Sequence, residues 1–120
     1  MNINYILEKE FKNFKFNNEL IPISPNIYSG EATTYLVYYT YSIQPEIFAD
    51  DLPICEGTYG TIDIFSNKNY KKLKNEVKRK LVKNCGFTWI EDGLEDFEKE
   101  TGLWHVPISF YVESQTSFLD

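Results

Sequence analysis

The sequence predicts an α+β fold: a two-layer sandwich with a mostly antiparallel sheet of four to five strands and two flanking helices. Three observations carry this. Two segments repeat apolar residues at spacings of three and four, the period of a helix face. Three others are β-branched and aromatic with period-two alternation, the pattern of strands. The elements follow in the order α–β–β–α–β–β, with room for one extra short strand early, so the strands fall into two antiparallel pairs that two amphipathic helices cover on one side. At 120 residues the chain is long enough for one domain, 1–120, and for one core.

The first helix spans Asn2 to about Phe14, where Ile3, Ile6, Leu7, Phe11 and Phe14 make one stripe. Asn17-Asn18 breaks the pattern. Residues 19–31, with two prolines and Ser29-Gly30, read as a turn-rich connection holding a short strand around Leu20–Ile23. Thr34 to Ile43 is the strongest strand signal. Tyr35, Val37, Tyr39, Tyr41 and Ile43 share one face, which is large and apolar. Leu36, Tyr38, Thr40 and Ser42 share the other, which is amphipathic and is expected to be only partly covered. Gln44 to Pro53 is acidic and bracketed by prolines, and reads as a loop. The second strand, Ile54 to Phe65, contains Gly57 and Gly60, which mark a bulge or a close backbone approach. Its Asp63 reads as part of a solvated face.

Asn69 is placed to cap the second helix. Tyr70, Leu73, Val77 and Leu81 form its stripe, and Gly86 sits where a C-terminal cap belongs. A short strand, Phe87 to Ile90, leaves it. Glu91 to Gly102 is acidic and is either a helical turn or a hairpin loop. In the last strand, Leu103 to Val112, Trp104, Val106, Ile108, Phe110 and Val112 make one apolar face, and His105, Pro107, Ser109 and Tyr111 the other. Pro107 lacks a ladder donor, which places the strand at an edge or at a bulge. The last residues, 113–120, fray or dock on a neighbour.

Composition excludes several functions. Aromatic residues are 17% of the chain, too many for a disordered segment. No apolar run approaches the roughly 18 residues of a membrane span, and the N-terminus carries acids where a secretory leader is apolar. Two Cys and one His lack the spacing of a zinc site. Cys55 and Cys85 read as reduced packing residues of a cytoplasmic protein. There is no phosphate-binding glycine loop and no nucleophile elbow, so catalysis and cofactors have no sequence support. The acid clusters lack the ligand spacing of a calcium loop.

The net charge of −6 hides an asymmetry. Lys71, Lys72, Lys74, Lys78, Arg79, Lys80 and Lys83 face only Glu76, so the second helix is +6 and the remainder −12. The basic face is a solvated helix surface or a contact for an acidic partner; it lacks the interleaved aromatics that stack bases. One copy's helix facing an acidic surface on the next would make a head-to-tail contact. The tyrosine-rich strand cannot bury both Tyr38 and Tyr41, because period two separates them, so aromatic area is left for an interface.

The run from Tyr28 to Tyr41 (YSGEATTYLVYYTY), then Phe48 to Tyr70 (FADDLPICEGTYGTIDIFSNKNY), then a basic helix ending in Gly86-Phe87, an acidic stretch and Trp104 to Ser114 (WHVPISFYVES) resembles a known family. It is similar to the tail-terminator or tail-completion proteins of long-tailed, non-contractile phages and prophages of Gram-positive bacteria. The resemblance covers roughly residues 25–114, and its motifs are structural rather than chemical. It implies a non-enzymatic protein that forms a ring, commonly of six copies, at the head-proximal end of the tail tube. The ring ends tube polymerisation and meets the head connector. DNA passes through without sequence readout, and no membrane is involved. It further implies assembly in the bacterial cytoplasm and residence in the virion tail. The family fixes no interface motif. The contact residues expected from the chain itself are the 44–56 loop with Phe48, Asp50 and Asp51, the strand face of Leu36 and Tyr38, the helix lysines Lys71, Lys74 and Lys78, and the C-terminal strand around Tyr111. A small acidic immunity or antitoxin-like protein, neutralising a basic toxin, is the alternative reading.

Overall fold

The computed structural model describes residues 3–42, 47–49, 52–87 and 89–115, with side chains described for 3–40, 57–87 and 91–112. Helix α1 (Ile3–Phe11) comes first, followed by a hairpin of β1 (Lys15–Phe16) and β2 (Glu19–Leu20). β3 (Ile23–Pro25), β4 (Thr34–Ser42), β5 (Ile47–Ala49) and β6 (Leu52–Ser66) follow. Helix α2 (Lys71–Arg79) then runs into a π-helical turn, Lys80–Asn84. β7 (Trp89–Asp92), β8 (Asp96–Glu98) and β9 (Leu103–Gln115) complete the order. The fold is α+β with a mostly antiparallel sheet, as expected. Among the described residues the sheet has seven strands rather than four to five.

Its centre is the long antiparallel pair β6–β9. β4 and β5 pair along the outer side of β6, β7 and β8 along the outer side of β9, and β3 lies parallel to β4 at the edge. The 44–53 segment is therefore not simply a loop. β5 and the first residues of β6 lie within it, with Ile47 opposite Cys55 and Ala49 opposite Leu52. The two prolines argued against a strand, but Pro53 sits near the strand start and beside a register shift, where a missing donor is tolerated.

Register fixes which sheet face is buried. Leu36 lies opposite Ile64, which lies opposite Val106; Tyr38 lies opposite Ile62, which lies opposite Ile108. These side chains, with Phe110 and Val112, pack under both helices in one cluster with Ile3, Leu7, Phe11, Leu73, Val77 and Leu81. Leu36, Ile62, Ile64, Val106, Ile108, Phe110, Leu7, Val77 and Leu81 are fully buried. Each such side chain is worth about 1.5–3 kcal/mol on leaving water. The two faces of β4 are thus the reverse of the expectation from that strand alone. Its amphipathic side is the core, and the side with Tyr35, Val37 and Tyr39 faces away from the helices.

Local signals explain several elements. Asn17 and Asn18 both have positive φ, 52° and 64°, the pair of left-handed residues that a two-residue hairpin turn demands. What reads as a helix break is a hairpin turn. Asn69 Oδ1 accepts a hydrogen bond from the Lys71 N–H at 3.1 Å, but the N-cap of α2 is Tyr70, one residue later than expected, and its side chain makes no capping bond. Gly86 has φ +72° and ends that helix, and Phe87 N–H reaches back to Leu81 O at 3.2 Å across a closure widened by the π turn. The acidic 91–102 stretch is a strand, β8, and a tight turn into β9, closed by Gly102 N–H to Glu98 O at 2.8 Å.

Pro107 is not at the sheet's edge, since β9 has neighbours on both sides. It lies opposite Asp63 on β6, while its carbonyl accepts from Gly93 N–H at 2.9 Å on the other side. In a strand the amide and carbonyl of one residue point the same way. The missing donor therefore falls in the gap between β7 and β8, where no ladder bond is lost. Gly60 answers the expectation of a close approach: a Cβ there would lie 2.5 Å from Phe110 Cζ and 2.6 Å from Tyr39 O.

Candidate functional site: two protein-contact surfaces

The helix-free face of the sheet is aromatic at its centre. Tyr35, Phe65 and His105 are directly opposite one another on β4, β6 and β9. Their rings stack in a row: Tyr35 on Phe65 at 5.0 Å and 15°, Phe65 on His105 at 4.5 Å and 8°. Tyr28 extends the row, 4.2 Å from Tyr35. Such cross-strand pairs each add about 0.2–1 kcal/mol. Further along, Tyr59 and Tyr111 pair at 4.7 Å.

Beside this row lies a polar clasp that the sequence did not announce. Asp63 is 3% exposed, not solvated as its alternation suggests. Its Oδ2 accepts from His105 Nε2 at 2.7 Å and from the Tyr39 hydroxyl at 3.1 Å. A carboxylate oxygen only accepts, so Nε2 carries the proton of that bond. The clasp ties the three strands together on the face the helices leave free. Burial, with the Asp63 charge and hydrogen bond, pushes the Tyr39 hydroxyl above the ordinary tyrosine range and keeps it a donor. Asp63 Oδ1 and Thr61 Oγ1 are buried without a partner among the described residues. The available signal was the single His of the chain on the same strand face as Pro107, whose register partner is Asp63; that register was not readable.

The rim of this face is acidic. Glu91 of β7 lies opposite Ser109, and Asp96 and Glu98 of β8 lie opposite His105 and Leu103, all on the helix-free side. Glu98 Oε2 is 4.0 Å from His105 Nδ1. Among the described strand positions on this side there is no Lys or Arg.

The basic helix is the second surface. Much of its charge is spent inside the chain. Lys74 Nζ meets Asp92 at 3.1 Å and Glu95 at 2.7 Å, and Lys78 meets Asp92 at 2.9 Å. Arg79 pairs with Glu76 at 2.5 Å and Lys80 with Glu10 at 3.1 Å. Tyr70 donates to Glu95 and joins the first network. These bonds clamp α2 to the β7–β8 connection and to α1. Burial alone would raise Glu10, but hydrogen bonds from Asn84 and Lys80 outweigh it and hold its carboxyl below the usual range. Lys71, Lys72 and Lys83 are exposed and form no ion pair among the described residues.

The expected contact residues separate accordingly. Leu36 and Tyr38, at 0% and 1% exposure, lie under α1, and the Tyr38 hydroxyl is capped by Glu8. They are core and not a contact surface, because register with β6 and β9 sets the buried parity. Lys74 and Lys78 are ion-paired within the chain, and Lys71 is exposed. Tyr111 lies on the helix-free face, half-buried against Tyr59. Phe48 lies in β5 opposite Pro53, with its side chain outside the described residues, as are Asp50 and Asp51 altogether. No group of metal-ligating side chains occurs among the described residues, and no described helix is long and apolar enough to cross a membrane.

No protein-family model and no curated protein matches the chain. Seven solved chains do. One aligns with 97% of this chain and 94% of its own length, with a TM-score of 0.59 and 13% identity. At that identity the likeness is one of fold alone.

Proposed function

We propose that this chain is a structural subunit of a phage-type tail, one that assembles as a ring at the head-proximal end of the tail tube, ends tube growth and presents a surface to the head connector. The observation that carries the reading is the length of the β6–β9 ribbon. Among the described side chains its last core position is Val112, opposite Thr58. The pairing continues to Cys55 opposite Gln115, and β6 itself starts at Leu52 with β5 alongside. Fifteen residues of β6 at about 3.3 Å each span roughly 50 Å. The molecule measures 53 × 26 × 24 Å. A ribbon of this length with β5 as a strand edge is suited to lie against another subunit, because the outer backbone edge of β5 has no strand partner among the described residues.

The sequence resemblance and the α+β arrangement support the same reading. So does the acidic balance, since a channel that passes DNA must not grip phosphate. Under it the protein needs no cofactor, acts without sequence-specific DNA contact, assembles in the bacterial cytoplasm and stays with the virion tail. The test combines mass in solution with electron microscopy, alone and with tail tubes. Rings with an open lumen, or capped tubes of limited length, are expected. A strict monomer that neither caps tubes nor limits their growth would refute the reading.

A further inference from the structure

We infer that the helix-free sheet face of one copy binds the outward face of α2 on a second copy. The inference rests on the ring reading and names the surfaces that would build it. The first surface carries Glu91, Asp96 and Glu98 at its rim and tyrosines at its centre, with no Lys or Arg among the described strand positions. Tyr39 on it is 40% exposed. The second carries Lys71, Lys72 and Lys83, which form no ion pair among the described residues, beside Val82 at 50% exposure. Each surface has what the other lacks: carboxylates for ammonium groups, and ring faces that accept a cation.

Geometry sets the mode of association. Both helices cover one face of the sheet, so the two surfaces lie on opposite sides of the sandwich. No copy brings its own pair together. A two-fold dimer would set like surfaces against each other. Contact between unlike surfaces is head-to-tail and repeats from copy to copy, the kind of contact that builds a ring when its rotation closes. The clasp of Asp63, His105 and Tyr39 gives the sheet side a fixed shape, because it locks three strands on the face that meets the neighbour.

The experiment uses the full chain as its own probe. Self-association is measured by sedimentation over a range of concentration and salt for the parent, for Lys71→Glu/Lys72→Glu/Lys83→Glu, for Glu91→Lys/Asp96→Lys, and for the chain with all five changes. All five positions are exposed, and circular dichroism checks that each variant is folded. Each single-surface variant is expected to associate on the order of tenfold more weakly or worse, since like charges then face each other. The five-fold variant, and a mixture of the two single-surface variants, recover association. Parent association weakens as salt shortens the screening length. A parent that assembles while neither reversal changes it overturns this assignment and leaves the ring reading standing. A parent that stays monomeric with and without tail tubes overturns both. Loss of DNA retention in the lysine variant with unchanged self-association overturns the assignment in favour of a nucleic-acid contact.

Discussion

Gly60→Ala is a one-carbon change with a large expected cost. The new Cβ would sit 2.5 Å from Phe110 Cζ and 2.6 Å from Tyr39 O, where ordinary carbon contacts begin near 3.5 Å. One of the two neighbours must move by about an ångström. Phe110 has no room: it is fully buried and stacks on Phe87 at 4.6 Å and 21°. Tyr39 O belongs to the backbone of β4 beside Thr40, whose register partner is Gly60 itself. Overpacking of this kind costs about 1–3 kcal/mol, and two rigid neighbours place Gly60→Ala at the upper end. A loss near 3 kcal/mol lowers the folding constant about a hundredfold and Tm by roughly 10 °C.

The assay is urea and thermal unfolding followed by circular dichroism, with the urea slope unchanged so that midpoints report stability. Phe110→Leu, made alone, loses ring packing and leaves a cavity. Combined with Gly60→Ala it removes the side-chain half of the clash. The double variant should therefore be more stable than the sum of the singles by about 1 kcal/mol. It does not return to parent, because Tyr39 O remains. A Gly60→Ala protein within about 0.5 kcal/mol of the parent, or strict additivity, would refute the packing argument.

Two further predictions concern titration. Glu10, Glu76, Asp92 and Glu95 all have carboxyl pKa values held below the ordinary range by lysine, arginine, asparagine or tyrosine partners. A lowered folded-state pKa contributes stability above the unfolded value that is lost as pH falls through the folded one. Tm should be level above about pH 5 and fall below about pH 4, and Lys80→Ala should flatten part of that fall by removing the partner of Glu10; a flat profile down to pH 3 contradicts the pairing. Burial pushes the Cys85 thiol up to about 11, helped by the charge of Glu10 and opposed by Lys80. In a Cys55→Ser background its alkylation at neutral pH should run roughly 100-fold slower than a free thiol and rise about tenfold per pH unit; labelling at the free-thiol rate would contradict it.

Local periodicity revealed what local physics decides. The stripe Ile3, Leu7, Phe11 and the stripe Leu73, Val77, Leu81 are buried as read, and Gly86 ends α2. The apolar alternation of β9 is the core face from Val106 to Val112, whereas Trp104, expected on it, is 38% exposed. The failures share one cause: they depend on which strand lies next to which. Hydrophobicity alone favours the Tyr35 side of β4, yet β6 and β9 decide the parity, and only pairing Leu36 with Ile64 shows it. Asp63 looks solvated by alternation and is buried because Tyr39 and His105 arrive from two other strands. Pro107 looks like an edge marker and instead meets a break between two neighbours. The hairpin at Asn17-Asn18 was within reach, since two asparagines in succession tolerate the left-handed region that this turn requires.

The charge asymmetry changes meaning once the pairs are known. Read along the chain, a +6 helix and a −12 remainder suggest two large opposed fields. In the folded protein Asp92, Glu95, Glu76 and Glu10 absorb the cations of Lys74, Lys78, Arg79 and Lys80. Four of the seven helix cations are therefore paired within the chain, and Lys74 and Lys78 fix α2 on its own sheet. What is left on the helix is three lysines on the outward side of its layer, while the remainder of the chain stays strongly acidic and places three carboxylates on the opposite side of the sandwich. Exposed pairs of this kind are worth at most about 1 kcal/mol each, too little to hold two proteins together against the cost of association. They can orient an encounter and forbid like-to-like contact, which selects head-to-tail over two-fold pairing. The binding energy must then come from apolar and aromatic area, and the tyrosine face beside those carboxylates is where the fold provides it.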